Sequence, residues 1–134
     1  MTAILLSDAA AKFGGTLLNS DAKCDRVSID SRKVKRGDIF VALSGKNHDG
    51  HEFIEGIANK IAGAIVSKPV FGKNLSQWVV KDTEKALGYM ASLKRDSFRG
   101  QTVAVTGSSG KTTVKEFISS ILKLCGSVHA TEGN

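Results

Sequence analysis

The chain has 134 residues, 41% of them hydrophobic and 24% charged, with one proline and no repeated tract; it is expected to fold as one domain, or as a small domain plus part of another. No apolar run reaches the roughly 18 to 20 residues of a membrane span, and the N-terminus MTAILLSDAAAKFGG has no basic region ahead of its apolar residues, so neither a membrane span nor a secretory signal is expected and the cytoplasm is the expected compartment. A formal net charge of +6 suits an anionic partner, but the basic residues are dispersed and aromatics make up only 6%, which favours a nucleotide-like small molecule over nucleic acid.

In chain order, Ser7 is the expected N-cap of a short helix that ends near Gly14 and Gly15, followed by a brief strand over residues 16–19. RVSID (26–30) and DIFVAL (38–43) read as strands around the basic turn SRKVKRG, whose Arg36-Gly37-Asp38 is taken only as a turn. In GKNHDGHEFIEGIANK, Asp49 and Glu52 have capping-box spacing, so a helix is expected near Gly50 with Phe53, Ile54, Ile57 and Ile61 on one face. His48 falls in a polar loop, and His51, in the first turn, is expected at the surface.

GAIVS (63–67) reads as a buried strand and QWVV (77–80) as another. Asp82 is the expected cap of a third helix, with Ala86, Leu87, Met90, Leu93 and Lys94 on neighbouring turns, ending near residues 98–100. The alternation of helix and strand predicts an α/β fold with partly parallel strands. A strand QTVAVT (101–106) then leads through a glycine loop into a helix starting at Lys111. Val114, Phe117, Ile118, Ile121, Leu122 and Cys125 follow i, i+3, i+4, i+7, i+8, i+11, the stripe of a helix packed on a sheet, so Cys125 is expected to be buried. Gly126 ends that helix and SVHAT reads as another short strand; Cys24 and Cys125 match no metal spacing, and His129 has no metal partner.

The loop in VAVTGSSGKTT departs from the usual G-x-x-x-x-G-K-[ST] pattern, because Val105 stands where the first glycine is wanted. The context still suits phosphate: Gly107 and Gly110 can adopt positive φ, the amides of Ser108, Ser109, Gly110, Lys111, Thr112 and Thr113 can converge at a helix N-terminus, Lys111 would reach the terminal phosphates and Thr112 would offer its hydroxyl to Mg²⁺.

Thr106 to Thr112, TGSSGKT, resembles the ATP loop T-G-[ST]-[NS]-G-K-[ST] of the Mur ligases, ATP-dependent enzymes that add amino acids to peptidoglycan precursors. VKEFISSIL and ATEGN look most like the branch that joins D-alanyl-D-alanine to UDP-MurNAc-tripeptide, while IDSRKVKRGDIFVALSGKNHDGHEFI and GAIVS resemble the family's N-terminal UDP-recognition domain. The resemblance runs from about Val27 to Asn134, and Ser109 stands where many members carry Asn.

The resemblance implies a UDP-recognition domain over residues 1–81 and the beginning of a P-loop-type, parallel-sheet ATP domain over residues 82–134. It implies ATP held by Gly107 to Thr113, Lys111 as the catalytic cation and Thr112 as a magnesium ligand. On the substrate side it implies Ser31 and Arg32 near the uridine, Lys46, Asn47 and His48 at the UDP, and Asn134 near the pyrophosphate. The alternative readings are a turn cap for Ser31 and one more solvated cation for Arg32. The implied chemistry activates the tripeptide carboxylate as an acyl phosphate, which the amine of D-alanyl-D-alanine attacks. The rest of the ATP domain and a third domain are expected beyond Asn134, so this stretch alone is expected not to ligate and to leave an apolar face uncovered, with self-association or local disorder after about Gly100. Ligases that add other amino acids, folylpolyglutamate synthase with its related ATP loop, and a non-catalytic sugar-nucleotide module remain the alternatives, which the reading frame after Asn134 would separate.

Overall fold

The computed structural model describes residues 4–132. It divides into two compact units, one ending at Arg99 and one beginning at Gly100.

In the first unit, β1 (Ile4–Leu5) runs into α1 (Leu6–Phe13), followed by β2 (Thr16–Leu18), β3 (Lys23–Cys24), β4 (Val27–Ser28), β5 (Ile39–Val41), a 3-10 turn Gly50–Phe53, the single turn α2 (Ile54–Ile57), β6 (Gly63–Val66), β7 (Ser76–Val79) and α3 (Thr83–Ser97). Five strands form a sheet ordered β2-β7-β6-β5-β4. Its four neighbours β4, β5, β6 and β7 are parallel, and β2 closes one edge antiparallel to β7. The α/β expectation with parallel strands therefore holds.

Parallel strands covered on both faces read as continuous apolar runs, and all residues of β5 and β6 are buried. Alternate side chains feed two cores: Ile39, Val41, Ile65 and Trp78 join Leu6, Ala9, Ala86 and Met90 beneath α1 and α3. Phe40, Ala42, Ala64 and Val66 join Ile54, Ile57, Ile61 and Leu75 on the α2 face. The Trp78 indole donates to the Gly14 carbonyl at 2.9 Å, satisfying its polar edge in the core. Gly15, at φ 92°, lies against that ring: a Cβ there would stand 2.7 Å from the indole nitrogen and 2.6 Å from the Val79 carbonyl oxygen.

Several local expectations change. The helix α1 begins at Leu6, and its first-turn amide on Ser7 is capped from a distance by Asp21, which accepts it at 3.0 Å and also accepts the Ser7 hydroxyl. Ser7 is thus a capped residue and not the cap. The expected helix near Gly50 is mostly a 3-10 turn, in which Asp49 caps the His51 amide at 3.1 Å; Ile54, Ile57 and Ile61 are buried, but Phe53 is exposed. Asp82 caps α3 as expected, accepting the Lys85 amide at 2.9 Å. The helix packs with α1 and β6 of the first unit, which runs past Lys81 to Arg99.

The second unit contains α4 (Lys111–Leu122). Residues 101–106 and 127–131 form no strands, because a strand exists only by pairing and the described residues offer these segments no partner. Val114, Phe117, Ile121 and Leu122 share the predicted stripe of α4 but are exposed, Phe117 by 66%. Cys125 is exposed as well, which corrects its expected burial: the stripe marks a face that can pack, and no layer of described residues covers it there. Cys24 is the buried thiol, and burial pushes it up to about 11.

Candidate functional site

The glycine loop has the backbone that its sequence predicts. Gly110 adopts φ 75°, ψ 3°, a left-handed conformation costly for any residue with a Cβ, and forms the N-cap of α4; Gly107 has φ 153°. The Gly110 carbonyl accepts the Val114 amide at 3.0 Å, so the helical ladder starts there and the preceding amides remain outside it. The first turn of α4 carries no acidic side chain to neutralise the helix's positive end. Residues 107–110, Thr112 and Thr113 are exposed. The Lys111 ammonium folds back over the loop and donates to the Gly107 carbonyl at 2.7 Å. A left-handed glycine, a helix terminus free of carboxylates and an ammonium over the loop together fit a polyphosphate. A magnesium ion could take the Thr112 hydroxyl, and among the described residues no three acidic, imidazole or thiol groups gather to supply further ligands.

The candidate substrate residues of the first unit lie on two turns. Asp30 caps the 3-10 turn Ser31–Lys33 by accepting the Arg32 amide at 3.0 Å, and it grips the Arg32 guanidinium through two bonds of 2.9 Å. That fork holds the Asp30 carboxyl down at about 2. The Arg32 side chain is 86% exposed, so its orientation is fixed from one edge while the other faces solvent. Ser31, half-buried, opens the turn and does not cap it.

The second turn is the loop 44–49, closed by a bridge between Ser44 and Asp49 and by the Gly45 amide donating to the His48 carbonyl at 2.9 Å. This displays Lys46, Asn47 and His48, all exposed, at its tip. Ser44 and Gly45 also line a cleft of about 520 Å³, with Ser67, Lys81, Thr83 and Glu84 among its other walls. The cleft lies past the carboxyl ends of β5, β6 and β7 and at the N-terminus of α3, where open α/β sheets commonly take ligands. Its walls include neither Ser31 nor Arg32. Asn134 lies outside the described residues.

The sequence reading missed three features here. Thr83 is buried and its hydroxyl donates to the Ala42 carbonyl at 2.9 Å, tying α3 to the end of β5. Asp38, buried in the RGD turn, accepts from Arg26 Nε and Nη2 and from the Lys35 amide. His51, expected at the surface, has a side chain only 11% exposed. The only sequence signal for Thr83 and the cleft was positional: both sit where apolar strands end.

Comparison with known proteins gives a consistent answer. Residues 23–95, more than half of the chain, match the Mur ligase family, catalytic domain, and residues 105–134 match the Mur ligase middle domain. The UDP-N-acetylmuramoyl-tripeptide--D-alanyl-D-alanine ligase of Escherichia coli (strain K12) is 39% identical over 134 residues, 100% of this chain and 30% of that protein. A crystal structure of MurF from Acinetobacter baumannii superimposes with a TM-score of 0.77 at 33% identity, covering 92% of this chain and 28% of that one. The MurF ligase from Thermotoga maritima in complex with ADP gives a TM-score of 0.69 at 38% identity, covering 81% of this chain and 26% of that one. The chain thus spans about 30% of the length of such relatives. Two family domains matched in order, with a phosphate-type loop in the second, establish that the chain belongs to the Mur ligase family.

Proposed function

We propose that this chain serves an ATP-dependent ligase that joins D-alanyl-D-alanine to UDP-MurNAc-tripeptide in peptidoglycan precursor synthesis. Residues 1–81 recognise the UDP end of the substrate, and residues 82–134 contribute the ATP phosphate loop. The observation that carries the proposal is the TGSSGKT loop with its left-handed Gly110 and overlying Lys111, in a chain 39% identical along its whole length to a ligase of that name.

ATP with magnesium supplies the phosphoryl group that activates a substrate carboxylate for attack by an amine. The chain's own residues position and neutralise: the loop amides donate to phosphate oxygens, and the Lys111 ammonium exchanges its bond to the Gly107 carbonyl for one to a phosphate. Thr112 would offer its hydroxyl oxygen to the metal. On the substrate side, Ser31, Arg32, Lys46, Asn47 and His48 bind the uridine diphosphate. The Asp30 fork keeps the Arg32 guanidinium aimed.

The test is Lys111→Ala, read as ADP affinity of this chain by calorimetry and as ATP turnover of the ligase that carries it. The expected loss of turnover is about 10²- to 10³-fold, the usual effect of deleting one preorganised charge-stabilising group. Turnover near that of the wild type refutes the assignment.

A further inference from the structure

The loop 44–49 has a closed form whose side-chain hydrogen bonds converge on one atom. Asp49 Oδ1 accepts from the Ser44 hydroxyl at 3.1 Å and the His51 amide at 3.1 Å, and it lies 2.5 Å from His51 Nδ1. On the far side of the imidazole, Nε2 faces the Ser67 amide at 3.0 Å, the Ser67 hydroxyl at 3.3 Å and the Lys68 amide at 3.4 Å. A backbone amide only donates, so Nε2 carries a lone pair, and the ring proton sits on Nδ1 and is donated to the Asp49 carboxylate. The neighbours on both sides thus select one neutral tautomer.

The ring joins two parts of unequal rigidity. On one side, Ser67 directly follows β6, an interior strand with all four of its residues buried. On the other is an exposed loop whose tip carries Lys46, Asn47 and His48. Asp49, His51 and Ser67 have the composition of a nucleophilic triad, but the Nε2 lone pair is already committed to the Ser67 amide at the shorter distance. The ring acts as a brace and not as a base for the hydroxyl.

We propose that His51 is a positioning residue: through Asp49 it fixes the loop 44–49, referenced to the end of β6, in the form that presents Lys46, Asn47 and His48 to a nucleoside diphosphate. The recognition half of this inference rests on the reading of that loop as substrate-binding.

The experiment compares the chain with its His51→Leu and His51→Gln variants. Leu removes both polar contacts, whereas Gln retains an acceptor for the Ser67 amide. Three quantities are read: the imidazole ¹⁵N resonances of the wild type, amide hydrogen exchange at Gly45, Gly50, Ser67 and Lys68, and affinity for UDP by titration. The wild type is expected to show a protonated Nδ1 and a bare Nε2. In His51→Leu, exchange at Gly45 and Ser67 is expected to quicken and UDP affinity to fall, each about tenfold, the scale of one lost hydrogen bond. His51→Gln should recover part of both. A proton on Nε2 in the wild type overturns the proposal, as does unchanged exchange in both variants. Undiminished UDP affinity in His51→Leu, alongside a loss in Lys46→Ala, also overturns it. If the wild type fails to bind UDP while exchange still responds to His51, the substrate reading of the loop is what fails, and the brace stands.

Discussion

Gly50→Ala should destabilise the first unit sharply, and the reason is steric. A Cβ on Gly50 would stand 2.9 Å from each of Ala42 Cα, Leu43 N and Leu43 O, against a comfortable carbon contact of roughly 3.5–4.0 Å. All three are backbone atoms just past β5, and the Gly50 amide donates to that same Leu43 carbonyl at 2.9 Å. No side chain can rotate out of the way, so relief requires the backbone at Gly50 to lift from the sheet. Overpacking of this kind costs about 1–3 kcal/mol. Weakening the Gly50 hydrogen bond adds about 1 kcal/mol, and the lower entropy of the unfolded Ala chain returns about 0.4–1 kcal/mol. The net loss is about 1–3.5 kcal/mol, which for a unit of this size lowers Tm by roughly 4–28 °C. Trp78 is the only tryptophan and is fully buried in the first unit, so its fluorescence on heating reports that unit alone. Gly88→Ala is the control: it sits inside α3 with nothing within 4 Å of an added Cβ, and should gain about 0.5–1 kcal/mol. A Gly50→Ala chain melting within about 2 °C of the wild type would refute the reasoning, since even a loss of about 1 kcal/mol predicts a shift of about 4 °C or more.

Three further outcomes follow from charge and burial. The Asp49 carboxyl is held down at about 2, chiefly by the His51 side-chain hydrogen bond and then by the His51 amide. Its folded value lies below its unfolded one, so the stability it contributes is complete above about pH 4 and is lost as pH falls through about 2. Urea denaturation along that acid limb should flatten in Asp49→Asn. Burial pushes the Asp38 carboxyl up, but the Arg26 hydrogen bonds and the Lys35 amide outweigh it and leave it lowered; Arg26→Ala should therefore lower the urea midpoint, by leaving a carboxylate with a 4% exposed side chain without its cation. An aromatic disulfide reagent at neutral pH should modify Cys125 promptly and Cys24 only on unfolding, because Cys24 is 5% exposed and its thiol is pushed up to about 11.

How far the fold could be read from the sequence follows from how local each feature is. The strands β5 and β6 announced themselves as uninterrupted apolar runs, because being covered on both faces removes the need for polar alternation. The helix α4 was equally legible, since its stripe is written within twelve residues. Residues 101–106 carry as good a strand pattern, yet Val103 is 59% exposed and the segment is unpaired. Apolar character states that a segment can pair; a partner decides whether it does. The same distinction separates Cys125, which lies on the stripe but is exposed, from Cys24, which is buried in an element of two residues too short to show any period. Ser7 repeats the lesson for capping: the oxygen that accepts the helix's first-turn amide belongs to Asp21, fourteen residues on.

The two candidate sites differ in legibility for the same reason. The phosphate loop is contiguous: left-handed glycine, helix start and lysine fall within five residues, so TGSSGKT implies nearly all of its geometry. The substrate side is assembled from separate strand ends. Asp49 was identified as a cap, and it is one, but the same oxygen also takes the Ser44 hydroxyl and the His51 ring. The ring in turn depends on Ser67, sixteen residues away in sequence and brought alongside only because β6 pairs with β5. A single carboxylate at a helix start therefore carries two meanings, a local one that spacing predicts and a tertiary one that appears only when the sheet is assembled. That is why His51 read as a surface residue although its side chain is held, only 11% exposed, between a loop and a strand end.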